Sequence, residues 1–185
     1  MLPKLIEDVE RAIEHECYLA ALALALTLPD ICGKAEFPND GNGARYKKWC
    51  KNFVCGIQPR NTPSGDMPYL NEDMIYSFRN LFLHQGTPNV KPSSSWDDRC
   101  QVNHFKLEIT DPDTPDGESS MVSYGAGMKI SHREITVGVR DLCYRLRVAA
   151  KKYYEENTDK FTFFNFDLKD RRKKSNPFNY LWEEE

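Results

Sequence analysis

Apolar positions at the start of the chain recur at Leu5, Ile6, Val9, Ala12, Ile13 and Cys17, three or four residues apart. They then merge into the unbroken run YLAALALALTL, residues 18–28. This spacing predicts one long helix over 3–28, with Pro3 in its first turn and Pro29 stopping it. Residues 30–43, DICGKAEFPNDGNG, are dense in turn formers and read as a loop. Tyr46, Trp49, Cys50 and Phe53 mark the apolar side of a second helix over about 44–55. A third helix begins at Asn71, a good N-cap flanked by Leu70 and Ile75 as a hydrophobic staple. It runs to about Gln85 and ends at Gly86, with Pro88 just beyond.

After a loop over 87–101 the period changes. In HFKLEIT, Phe105, Leu107 and Ile109 alternate with Lys106, Glu108 and Thr110, the pattern of a half-buried strand. DPDTPDGESS is turn-rich, and MVSYGAGMKI supplies the return strand of a hairpin. SHRE (131–134) then reads as a capping box, with Ser131 as cap, Glu134 at the third helical position and Ile130/Ile135 as staple. The fourth helix runs to about Asn157, with Ile135, Val139, Leu142, Leu146, Ala149 and Tyr153 on its core stripe. The expected architecture is mainly α: a four-helix bundle over 1–160 with a β-hairpin inserted at about 102–130, between the third and fourth helices. An aromatic and basic tail over 161–185 packs on the bundle or on a partner.

Composition changes this picture little. The chain has 185 residues, 40% hydrophobic and 29% charged, as expected of one soluble domain. The apolar run 18–28 is shorter than the roughly 18 residues a membrane span needs, so no membrane is expected. Its charged upstream segment does not resemble a signal peptide. Six cysteines, without CxxC pairs or zinc-finger spacing, read as free thiols of a cytoplasmic protein. A net charge of −3 excludes a general polyanion binder. Basic clusters at 44–51, 140–152 and 169–174 are read either as local nucleic-acid surfaces or as solvated faces.

The candidate chemistry lies in RNLFLH, residues 79–84. At about 100° per residue, Met74, Ile75, Phe78, Leu81 and Phe82 share a core stripe, while Arg79, Asn80 and His84 lie on the opposite face. Tyr76 and Leu83 fall among them, which points to a second contact surface such as another protomer or another helix. Histidine titrates near neutral pH and can move a proton to or from a ribose hydroxyl. Arginine presents a charged planar fork to phosphate oxygens. Together they describe RNA cleavage with the 2′-hydroxyl as internal nucleophile, which needs no metal ligand set and no cofactor.

An Arg-Asn-x-x-x-His segment late in a helix of such a bundle resembles the HEPN superfamily (higher eukaryotes and prokaryotes nucleotide-binding), over roughly residues 3–157. Its nuclease members carry Arg-x(4–6)-His. The resemblance implies Arg79 and His84 as the catalytic pair, Asn80 as the polar residue beside the arginine, and a homodimer that joins two motifs in one cleft. It further implies RNA as substrate, a toxin or defence role, and in some systems a nucleotidyltransferase-type antitoxin as partner. Non-catalytic members that bind nucleotide, RNA or a protein are the alternative. A second match of the same spacing, Arg99 and His104, has Cys100 after the arginine and leads into a strand.

Further candidates are read both ways. Asp30, Lys34 and Glu36 line the cleft or face water, and Arg45, Lys47 and Lys48 hold phosphate or form a solvated face. Tyr76 stands with Asp30, Lys34, Arg45 and Lys48 as a substrate-binding candidate. Arg140, Arg145 and Arg147 track an RNA backbone or lie over apolar neighbours. Trp49, Trp96 and Trp182 stack bases or pack in a core.

Overall fold

A computed structural model of the chain describes residues 1–55, 70–90, 102–114, 116–128, 130–166 and 169. It begins with three helices, α1 (Leu2–Glu14), α2 (Tyr18–Ala25) and α3 (Leu28–Glu36). The single helix expected over 3–28 is therefore broken. The chain turns at Glu16, whose φ is 57°, and α1 packs against α2. Residues 14–17, Glu-His-Glu-Cys, are all exposed, so no apolar face carries the first helix through this point.

Pro29 starts a helix where it was expected to stop one. In the first turn of α3 its missing N–H is one that a helix leaves unpaired in any case. The segment read as loop is thus helical up to Glu36. Gly33, which looks like a turn former, lets α3 approach α4 (Asn42–Phe53): a Cβ there would lie 2.9 Å from the Arg45 carbonyl oxygen. Helix from Tyr18 to Glu36 now spans 19 residues, long and apolar enough by length and composition to cross a membrane. Half of its apolar window is buried, with Leu22, Ala25, Leu26 and Leu28 fully enclosed, as in a core helix.

α5 (Glu72–Asn80) follows the sequence closely. Asn71 Oδ1 accepts the Met74 N–H at 2.9 Å, and Leu70 and Ile75 are buried. The last turn, Leu81–Gln85, is a π-helix. It closes with the Gly86 N–H donating to the Leu81 carbonyl at 2.8 Å, and Gly86 takes a left-handed φ of 60°.

The expected bundle with a hairpin is replaced by an α+β arrangement. Strands β1 (His104–Glu108), β2 (Ser119–Tyr124) and β3 (Ile130–Gly138) form a mixed sheet in the order β1-β3-β2. β1 runs parallel to β3, pairing Phe105 with Ile135, and β2 runs antiparallel to β3. The two segments read as hairpin partners therefore flank a third strand, which occupies the predicted start of the fourth helix. The reason is that ISHREITVG is rich in β-branched residues and buries Arg133, Ile135 and Val137 at period two. Ser131 has the spacing of a cap, but its hydroxyl donates across the strand pair to the Ser123 carbonyl at 3.1 Å.

The last helix, α6 (Val139–Glu156), starts after Gly138 instead and buries Val139, Leu142, Leu146, Ala149 and Tyr153 against the N-terminal helices. The Phe78 and Phe105 rings, 5.3 Å apart, join α5 to the sheet. Trp49 and Tyr153, 6.0 Å apart, join α4 to α6. Phe161 is buried beside Tyr153 and Tyr154, whereas Phe163 and Phe166 are exposed. Beyond Phe166 the predicted tail lies outside the described residues, apart from Lys169.

Candidate active site

The π turn decides the site geometry. In an α-helix residues five apart lie about 140° apart around the axis. A π turn closes i to i+5, so the fifth residue returns beside the first. Arg79 Nη1 accordingly stands 2.6 Å from His84 Nε2. A guanidinium only donates, so Nε2 is the acceptor and the ring proton sits on Nδ1 in this arrangement. Nη1 also donates to Asn80 Oδ1 at 2.9 Å. The three residues read from RNLFLH thus form one hydrogen-bonded group.

A fourth member comes from α3. Asp30 Oδ2 accepts from Arg79 Nε at 3.1 Å and from Nη2 at 2.7 Å. Arg79 and Asp30 are mostly enclosed, with side chains 17% and 23% exposed, while His84 is exposed. Burial pushes the Asp30 carboxyl above its ordinary value, against the opposing pull of Arg79 and Arg45. The first turn of α3 also favours a negative charge there.

Tyr46, on α4, forms the floor. Its ring centroid lies 6.0 Å from the Arg79 guanidinium carbon. Its hydroxyl donates to the Leu26 carbonyl at 3.2 Å, and full burial raises its pKa well above the ordinary value. Sequence reasoning took Tyr46 only as a core residue, and nothing in the local pattern marks it as a platform for an arginine 33 positions further on.

The other candidates separate. Tyr76 was expected on a surface meeting another molecule or helix, and its partner is α4 of the same chain. Its ring lies 5.3 Å from that of Tyr46, and a Cβ on Gly43 would come within 2.8 Å of its hydroxyl. Leu83 is likewise partly buried against the core. Arg45 stays with the site: its charge reaches Asp30, and its buried Nε has no hydrogen-bond partner among the described residues. Lys34 lies over the Phe163 ring at 4.8 Å, and Lys48 pairs with Asp40 at 2.7 Å. Lys47 pairs with Asp73, and Glu36 accepts from Tyr153 and Lys160.

The arginines of α6 are also engaged within the chain. Arg140 binds Asp116, Arg145 binds Glu118 and Asp141, and Arg147 binds Glu10. Trp49 is buried in the core, while Trp96, Trp182 and Arg99 lie outside the described residues. His104 opens β1 with its Nδ1 2.9 Å from Asn89 Oδ1. Cys17, Cys32, Cys50 and Cys143 are free thiols, and Cys100 lies outside the described residues. Among the described residues no group of three or more His, Cys, Asp or Glu side chains is gathered as a metal site.

Chemically, the cluster combines a charged fork, a neutral imidazole nitrogen and an amide at one helix end, with a carboxylate behind them. Comparison of the chain with protein-family models, with curated proteins and with solved structures finds no match.

Proposed function

We propose that this chain is a metal-independent endoribonuclease of the kind the HEPN resemblance implies, a toxin or defence effector acting in the cytoplasm. With the four-helix bundle replaced by an α+β fold, the resemblance rests on the motif and its helix. The observation that supports the reading is the shared hydrogen bonding of Arg79 Nη1 to Asn80 and His84. In cleavage, Nη1 exchanges these acceptors for oxygens of the scissile phosphodiester and stabilises its developing charge. The His84 nitrogen so released takes the proton of the ribose 2′-hydroxyl. The 2′-oxygen bonds to phosphorus as the P–O5′ bond breaks, leaving a 2′,3′-cyclic phosphate and a 5′-hydroxyl.

The leaving oxygen needs a proton. A homodimer meets that need when the His84 of a second copy is protonated and gives its proton to O5′, while the first His84 keeps the proton taken from the 2′-hydroxyl. The resemblance implies such a shared cleft. Arg45, whose charge reaches Asp30, is the substrate-phosphate candidate that stays beside the site. A nucleotidyltransferase-type antitoxin is the corresponding regulatory partner.

The test is incubation of the purified chain with RNA in EDTA, beside His84→Ala. We expect cleavage by the wild type, products ending in cyclic phosphate, and a loss of about 10²- to 10⁴-fold in the variant. An uncut RNA, or equal cutting by both proteins, overturns the reading. The internal commitment of Arg79 favours a second one, in which the arginine only ties α3 to α5 in a non-catalytic binding module. Arg79→Ala would then lower stability or partner binding while no RNA product appears with any variant.

A further inference from the structure

We infer that Asp30 is a positioning residue, which grips one edge of the Arg79 guanidinium so that its Nη1 side faces His84 and the scissile phosphate. This rests on the reading of Arg79 and His84 as the catalytic pair. A guanidinium carries five N–H donors. Here Nε and Nη2 each donate to Asp30 Oδ2, and Nη1 donates to both Asn80 and His84, so four of the five are in use.

The two sets of acceptors differ in kind. Asn80 and His84 lie within five residues of Arg79 on the same helix end, and both are neutral groups that a phosphate can displace. Asp30 lies 49 positions away in sequence, on α3. That helix is pressed against α4 through Gly33, and α4 also supplies the Tyr46 ring beneath the arginine. Carboxylate on one edge and aromatic ring below leave the guanidinium a single orientation. As a direct ligand for RNA, Asp30 fails on charge, since a carboxylate repels the phosphate that Arg79 attracts. Its effect on the substrate is therefore exerted through Arg79.

This role separates binding from turnover. In Asp30→Asn one negative charge is gone, so the variant holds a 2′-O-methyl RNA, which lacks the nucleophile, as tightly as the wild type or more tightly. Cleavage of the matching unmodified RNA falls about 10- to 100-fold, because the guanidinium is no longer held in place. Asp30→Glu, which restores the carboxylate, recovers part of the lost turnover, and thermal melting of each variant checks the fold.

Faster cleavage with tighter binding would make Asp30 a competitor for Arg79 and overturn the inference. Unchanged cleavage would overturn it too, as would binding and cleavage that fall together. In all three cases wild-type cleavage leaves the nuclease reading standing. If the wild type cuts no RNA, the nuclease reading itself falls and takes this inference with it.

Discussion

Among the aspartate–arginine pairs of the described residues, Asp116–Arg140 and Asp30–Arg79 are tuned in opposite directions. Asp116, between β1 and β2, is 6% exposed and accepts on both carboxylate oxygens. Oδ1 takes the Thr110 N–H and hydroxyl and the Arg140 guanidinium, and Oδ2 takes the Arg140 backbone N–H at 2.7 Å. The same Arg140 Nη2 group lies within reach of the carbonyls of Thr110, Asp111 and Thr114, and Nη1 stands 3.5 Å from that of Pro112. Burial raises the Asp116 carboxyl, but Arg140 and the Thr110 bonds outweigh it and hold it well below the usual carboxylate range. At Asp30 burial prevails, one oxygen takes both arginine bonds, and the arginine shares its other side with a histidine. The first pair is enclosed by its own loop and caps α6, with both carboxylate oxygens and the inner edge of the guanidinium engaged. The second is held at one edge only, and its remaining acceptors can be displaced. Pairing alone does not separate a strut from a site. The use of the second carboxylate oxygen, and the displaceable acceptors beside Arg79, separate them.

The largest test of this contrast is Asp116→Ala. It strands Arg140 and the first turn of α6, and should cost about 3–5 kcal/mol in chemical denaturation. A cost below about 1 kcal/mol would place the strut elsewhere. Gly33→Ala comes next. Its Cβ meets backbone at 2.9 Å and pushes α3 from α4, for about 1–3 kcal/mol of stability. Because α3 carries Asp30, cleavage should fall further than the melting temperature explains, and a purely thermal effect would detach the site from that packing.

The smallest effect is in pH. The folded pKa of Asp116 lies below its unfolded value of about 3.9, so its contribution is present above that pH and fades as pH falls through the folded value. Asp30 has the opposite sign. Its raised folded pKa makes ionisation a cost that is full above the folded value and relieved as pH falls towards about 3.9. Denaturation of Asp116→Asn and Asp30→Asn against wild type over this acid range should give slopes of opposite sign. Slopes of the same sign would erase the distinction between the pairs.

Local signals in the sequence were legible where they acted alone. Asn71, Leu70 with Ile75, and Gly86 bound the helical segment from Glu72 to Gln85 as read, and RNLFLH does gather its three polar residues. The failures come where one local signal serves two structures. Ser131 and Glu134 keep capping-box spacing inside a strand, because the β-branched residues around them find a parallel neighbour in β1. Pro29 ends one helix pattern and begins another, and Gly33 looks like a turn but marks a helix contact. The Asp30–Arg79 contact spans 49 positions and has no periodicity to announce it. The π turn escapes for a further reason: the apolar positions near it fit a plain α-helix nearly as well.

That turn also changes what a motif spacing means. Were one residue lost between Leu81 and Gln85 and the helix to relax to α geometry, the histidine would stand four places after Arg79 and about 40° away around the axis. The two side chains would still be neighbours. The paired groups are thus defined by azimuth, and the count of intervening letters is free to drift by one whenever the helix gains or sheds its wide turn.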